Sequence, residues 1–277
     1  MPYARATDGA RLHYEAFGRR NAPAVLMIQG LGADKHGWDM QRFTLARNYR
    51  VIAFDNRGAG RSDKPFGVYS IEQMADDAVT VLDHASVVGA HVVGASMGGA
   101  ISQVMAVIHP TRVLSLTLAC TACRNQPWRR ELLERWMETA LERGMGAMTG
   151  EAARWVMAPR SFRRLLPAFG WLGPLAMGRP AHSFAAQVRA ILAADEALAE
   201  QLHTITVPTL VIVGNQDILT PRGDSEEIAD RIPGAEMVVI SGAAHGFMIE
   251  HASTFNKILK DFLHRASQAL PLDAAVG

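Results

Sequence analysis

The sequence predicts an α/β protein: a mainly parallel central sheet with helices on both faces, plus an inserted helical segment. Three observations carry that expectation. Apolar runs of strand length alternate with amphipathic stretches of helical period through two parts of the chain. Between about Arg124 and His203 the alternation lapses and only helical periodicity remains. A serine flanked by glycines stands where one apolar run gives way to a helical stretch, at Val92-Val93-Gly94-Ala95-Ser96-Met97-Gly98-Gly99.

In chain order, Tyr3 to Phe17 reads as a hairpin turning at Asp8-Gly9, with apolar residues alternating on the return strand. Val25 to Ile28 and Val51 to Phe54 read as buried strands, followed by amphipathic helices at Trp38 to Arg47 and Ser70 to Asp83. Strand recurs at Val92-Val93, helix at Ala100 to Ile108 and strand at Val113 to Leu118. The helical stretch includes the runs Glu131 to Met137 and Phe184 to Leu192, and Pro159, Pro167, Gly170, Gly173, Pro174, Gly178 and Pro180 break it into short pieces. Strands return at Thr209 to Val213 and Met237 to Ile240, with helices at Asp224 to Arg231 and His251 to His264. The expected organisation is a core of residues 1–123 and 204–266, a helical cap of residues 124–203, and a fraying tail of residues 267–277.

With 277 residues, 49% hydrophobic and 20% charged, the chain can bury a sizeable core. A net charge of +1 supplies no global field for nucleic acid or an anionic membrane, which leaves a small molecule as the expected partner. The N-terminus carries no basic segment followed by an apolar one, and no run approaches a membrane span, so a cytoplasmic protein is expected. Nothing in the sequence sets an oligomeric state. Cys120 and Cys123 are too few for a disulfide framework, and their spacing lacks the four ligands of a zinc site; they read as ordinary thiols at the end of a core strand.

A bare G-x-S-x-G arises by chance in about one such sequence in ten, so its setting decides. Here a buried strand precedes the turn and an apolar helix follows it, the arrangement that exposes a nucleophile on strained backbone. A serine hydroxyl needs a base, itself held in one tautomer by an acid. His245 lies in the small-residue loop Ser241 to Phe247 after the last strand, and Asp217 in the loop Gly214 to Pro221 after the strand before it. No carboxylate occurs in Ala119 to Ala122, which favours Asp217 as the acid. His36, His91 and His109 fall in loop, strand and helix-end positions and receive no role. Ser96, Asp217 and His245 are therefore the expected catalytic residues, with the Met97 amide as one oxyanion donor.

With Gln29-Gly30-Leu31-Gly32 after the first core strand and Asp55-Asn56-Arg57-Gly58-Ala59-Gly60-Arg61-Ser62 after the next, the chain resembles the α/β-hydrolase superfamily over roughly Tyr3 to Ala266. Within it, the chain resembles the capped single-chain esterases, enol-lactonases and cofactor-free haloperoxidase-like enzymes. The resemblance implies a second oxyanion donor at the Leu31 amide. It also implies that a serine at position 96 excludes the carboxylate nucleophile of dehalogenases and epoxide hydrolases of this fold. Many relatives carry histidine where this chain has Gln29, a change of polarity beside the oxyanion site. The Asp55 to Ser62 stretch reads as a structural turn in which Asp55 and Arg57 satisfy local charges.

No phosphate-binding loop or H-E-x-x-H motif is present, and no cofactor or metal is called for. Candidate substrate contacts are Gln29, Leu31, Trp38, Met97, Phe247 and Met248 from the core, and Trp136, Trp155, Phe169 and Trp171 from the cap. Arg129-Arg130 and Arg163-Arg164 are candidates for a substrate carboxylate, or solvated helix faces. The expected reaction is hydrolysis of small to medium, largely apolar esters or lactones through an acyl-enzyme. The same triad also serves carbon–carbon bond hydrolysis and perhydrolysis, and some proteins of the fold act as small-molecule receptors.

Overall fold

The computed structural model describes residues 2–159, 180–194 and 197–269. Strands β1 (Tyr3–Arg5) and β2 (Arg11–Phe17) form the expected hairpin, with Gly9 at φ +89° in its turn. The remaining strands are β3 (Ala24–Ile28), β4 (Arg50–Phe54), β5 (Ala90–Ala95), β6 (Val113–Ala119), β7 (Thr209–Gly214) and β8 (Glu236–Ile240). All eight lie in one sheet, in the order β1-β2-β4-β3-β5-β6-β7-β8. From β4 onward every pairing is parallel, with β2 joined antiparallel to β4. The five residues of β3 and the six of β5 and of β7 are all buried, which is why these segments read as continuous apolar runs instead of alternating ones.

Around the sheet lie α1 (Asp39–Leu45), α2 (Ile71–His84), α3 (Met97–Ile108), α8 (Arg222–Arg231), the short α9 (Phe247–Glu250) and α10 (Ala252–Gln268). Between β6 and β7 come α4 (Pro127–Arg143), α5 (Met145–Val156), α6 (Ala181–Ala193) and α7 (Ala197–Gln201). One core layer joins the sheet to α2 and α3 and includes Leu26, Ile28, Met74, Val92, Ile101 and Leu116. The opposite layer includes Val25, Val51, Val93, Ile212, Phe255 and Leu259, and a third cluster around Leu133, Trp136, Met148 and Phe184 holds the inserted helices together. The expected tail starts too early: α10 continues to Gln268, and Ser267 Oγ lies 3.0 Å from His91 Nε2. The terminal turn is fixed by that polar contact, which apolar periodicity does not register.

After β3 the chain first adds β4 on one side and then crosses to place β5 on the other. Where winding reverses direction, the loops leaving the two strands diverge and open a crevice at their carboxyl ends. The loop after β3 begins with Gln29-Gly30-Leu31 and the turn after β5 begins with Ser96, so both lie at this crevice.

Candidate active site

Ser96 occupies strained backbone, at φ +55° and ψ −120°, between the end of β5 and the first residue of α3. The flanking glycines are required by contact distances. A Cβ on Gly94 would lie 2.2 Å from Ser102 Oγ and 2.3 Å from Gly98 O; one on Gly98 would lie 2.1 Å from Ile28 O. The turn is held by Ser96 N–H donating to Ala119 O at 2.9 Å, and by Thr121 Oγ1 donating to Ser96 O at 2.8 Å.

The acid and base loops are stitched to each other. Gln216 N–H donates to Ala243 O at 2.8 Å and Gly242 N–H donates to Asn215 Oδ1 at 2.7 Å. A Cβ on Gly214 would sit 2.2 Å from Ala243 O, so the close approach of the loops needs glycine there. Across them His245 Nδ1 lies 2.8 Å from Asp217 Oδ2. Asp217 Oδ1 accepts the amides of Leu219 and Thr220, each at 2.9 Å, and Oδ2 also accepts the Thr220 hydroxyl at 2.8 Å. Burial pushes the Asp217 carboxyl up, but the adjacent His245 and these hydrogen bonds outweigh it, and its pKa falls below the ordinary value.

Ser96 and His245 border one cavity of about 270 Å³. Ser96 Oγ and His245 Nε2 share no hydrogen bond, and among the described residues neither has another partner. Leu31 and Met97 line it too, and their amides donate to no carbonyl among the described residues. Met97 is the first residue of a twelve-residue helix, where amides lack intrahelical acceptors and the helix dipole favours negative charge. Gly30 keeps the space beside the serine clear: a Cβ there would meet Ser96 Cβ at 3.1 Å.

Gln29 and Met248 line the cavity, and Gln29 Oε1 accepts the Gly30 amide at 2.8 Å. Trp38 and Phe247 do not. Both are fully buried against Phe255 on the far side of the sheet, Trp38 stacked at 6.3 Å and Phe247 edge-on at 5.4 Å. From the inserted helices Trp136, Leu133, Met148 and Phe184 face the cavity, whereas Trp155 stacks on Trp128 at 6.0 Å. Phe169, Trp171 and Arg163-Arg164 lie outside the described residues.

Arg129 reaches the cavity wall, but its guanidinium is engaged within the chain. It pairs with Asp224 and donates to Leu219 O at 3.0 Å and Arg124 O at 2.9 Å. Arg130 donates to Leu192 O at 2.9 Å. Burial raises the Asp224 pKa to about 6, Arg129 offsetting only part of that push.

The Asp55 to Ser62 turn is also charged differently from expectation. Asp55 meets His13 at 3.3 Å and Lys35 at 3.4 Å, while Arg57 turns to Asp77 at 2.6 Å and Asp8 at 2.8 Å. Burial holds the Cys120 thiol well above the ordinary range, reinforced by Asp217, and pushes Cys123 up to about 12, so neither is a thiolate at neutral pH. Among the described residues no group of three or more His, Cys, Asp or Glu side chains is placed to hold a metal ion, and no helix is long and apolar enough to cross a membrane.

A mainly parallel sheet with a serine elbow at its switch point defines the class to which comparison then assigns the chain. The alpha/beta hydrolase fold family matches residues 23–252, and the chain belongs to that family. A protein of Azorhizobium caulinodans bearing the name of the carbamate hydrolase RutD is 32% identical over 97% of this chain and all of its own. The 3-oxoadipate enol-lactonase 2 of Acinetobacter baylyi is 30% identical over 92% of this chain and 93% of its own. The crystal structure of the enol-lactonase from Burkholderia xenovorans LB400 superposes with a TM-score of 0.88 at 32% identity, covering 95% of this chain and all of that one. These relatives are hydrolases, and hydrolysis of a small molecule is the reaction class they support for this chain.

Proposed function

We propose that this chain is a serine hydrolase that cleaves carboxylic esters or lactones of small to medium, largely apolar substrates through an acyl-enzyme. One observation carries the reading: His245 Nδ1 lies 2.8 Å from Asp217 Oδ2, and Ser96 and His245 border one cavity. Ser96 Oγ attacks the carbonyl as His245 Nε2 takes its proton, and His245 Nδ1–H stays on Asp217. The oxyanion takes hydrogen bonds from the amides of Leu31 and Met97. His245 then protonates the leaving oxygen, and water attacks the acyl-enzyme by the same route in reverse. Residues 1–123 and 204–266 form the catalytic core in this reading, and 124–203 the cap that selects the substrate.

Incubation with a fluorophosphonate, followed by peptide mass spectrometry and by kinetics on p-nitrophenyl esters of increasing chain length and on γ- and δ-lactones, tests the reading. Labelling at Ser96 with multiple turnover supports it. A folded protein with neither labelling nor turnover overturns it and moves weight to a ligand-binding role.

A further inference from the structure

Gln187 lies on α6, is fully buried, and is absent from the cavity wall. Its Oε1 accepts the Gly32 amide at 2.9 Å and its Nε2 donates to Arg57 O at 2.8 Å. A buried carboxamide engaged at both ends is costly to disturb, because each group it leaves behind is desolvated and unpaired. What it holds is the loop that carries Leu31. Ala33 N–H donates to Gly30 O at 3.2 Å, closing a turn with Leu31 and Gly32 at its centre, and Gly32 at φ +69° has the backbone such a turn asks of its third residue. Pinning the Gly32 amide fixes the peptide plane next to the Leu31 amide. Arg57 in turn is anchored by Asp77 and Asp8, so α6 reaches the loop from a rigid post. Gly58 at φ +86° leaves α6 room to approach, since a Cβ there would lie 3.3 Å from Ser183 Cβ.

We infer that Gln187 is a positioning residue of the oxyanion site: an inserted helix sets the aim of the Leu31 amide through the Gly32 hydrogen bond. This rests on the acyl-transfer reading above. It separates two roles of the insertion, since Gln187 touches no cavity surface and acts on the rate of the chemical step, while residues such as Trp136 act on substrate fit.

The test compares wild type with Gln187→Met, which keeps the chain length and loses both hydrogen bonds, and Gln187→Ala, for use if the first fails to fold. Ser183→Ala is the control: Ser183 Oγ donates to Gly58 O at 2.9 Å one turn earlier on α6, pinning the same helix to the same turn without touching Gly32. Loss of one oxyanion donor costs roughly a hundred- to a thousandfold in rate, and mis-aiming it should cost about ten- to a hundredfold. The expected result is that fall in kcat for butyrate ester hydrolysis, KM within about threefold, and a matching weakening of inhibition by n-propylboronic acid, whose tetrahedral adduct places an oxygen in the same site. Ser183→Ala stays within about twofold of wild type in kcat. Gln187 variants with unchanged kcat and boronate inhibition overturn the inference, as does an equal loss in Ser183→Ala, which would mean general loosening of the helix. A wild type that shows neither turnover nor a Ser96 boronate adduct overturns the acyl-transfer reading itself and this inference with it.

Discussion

Thr220 donates its hydroxyl to the same Asp217 oxygen that faces the His245 ring, and Thr220 Oγ1 also stands 3.2 Å from His245 Nδ1. The threonine thus braces the acid and limits the directions from which the imidazole can meet it. Its donated proton also draws charge off Oδ2, one of the effects that lowers the Asp217 pKa.

Thr220→Val keeps the shape and removes that bond. A hydrogen bond to a charged group is worth about 1.5–3 kcal/mol, and the Leu219 and Thr220 amides still hold Oδ1, so a fall in kcat of about tenfold is expected. Thr220→Ser should restore the rate. An unchanged kcat in Thr220→Val would reduce Thr220 to packing.

Asp217→Asn should be far more damaging. The two amides on Oδ1 demand an acceptor, so the asparagine turns its oxygen to them and presents its NH₂ to His245 Nδ1. The imidazole then adopts the tautomer whose proton sits on Nε2, where it cannot take the serine proton. A loss on the order of ten thousandfold in kcat is expected, against roughly four to six orders for Ser96→Ala, with melting temperatures near wild type. Steady-state turnover of p-nitrophenyl esters measures both; a mild Asp217→Asn effect would move the acid role elsewhere.

The positions of Ser96, Asp217 and His245 were legible because each follows a strand, and because the turn at Ser96 forces glycine at 94 and 98 on steric grounds visible in one dimension. Thr121, Thr220 and Gln187 were not. They are ordinary polar residues whose partners are set by the tertiary fold, and Gln187 meets an amide 155 residues away. Trp38 and Phe247 were misplaced for a related reason. Nearness in sequence to a site loop does not say which face of the sheet a side chain joins; the turn Lys35–Trp38 ahead of α1, and α9, direct these rings toward α10. Arg57 was read as satisfying charges local to its own turn, whereas the fold brings Asp77 to it from α2 and Asp8 from the hairpin.

Glycine contacts give a stability prediction with an internal contrast. Gly98→Ala drives a methyl group to 2.1 Å from Ile28 O and 2.8 Å from Gln29 O, both main-chain atoms at the start of the oxyanion loop. Relief requires moving β3 or α3, so destabilisation at or above the upper end of about 1–3 kcal/mol is expected, with loss of activity. Gly150→Ala, on the exposed side of α5 with nothing within 4 Å, should instead gain up to about 1 kcal/mol from helix propensity. Urea unfolding midpoints decide both; equal effects would mean that the elbow tolerates a side chain at 98.

His91 makes stability depend on pH in the near-neutral range. It is fully buried in β5 between Ser115 Oγ at 2.8 Å and Ser267 Oγ at 3.0 Å, and burial pushes its pKa down to about 4. In the unfolded chain it titrates near the ordinary value of about 6.5. Below that value the unfolded state binds the proton that the folded state refuses, so the stabilising contribution is complete above pH 6.5 and is lost as pH falls toward 4. The loss is about 2 kcal/mol at pH 5 and about 3 kcal/mol once both states are protonated. His13, depressed by burial and by Lys35, adds in the same direction. Thermal unfolding at pH 7.5 and pH 5 should therefore differ by several degrees, and His91→Gln should remove His91's share of that slope while leaving the share of His13. Asp224, raised to about 6 by burial, takes up a proton in the same window and offsets part of the slope in both proteins, so an undiminished slope in His91→Gln would mean that His91 accepts a proton in the fold.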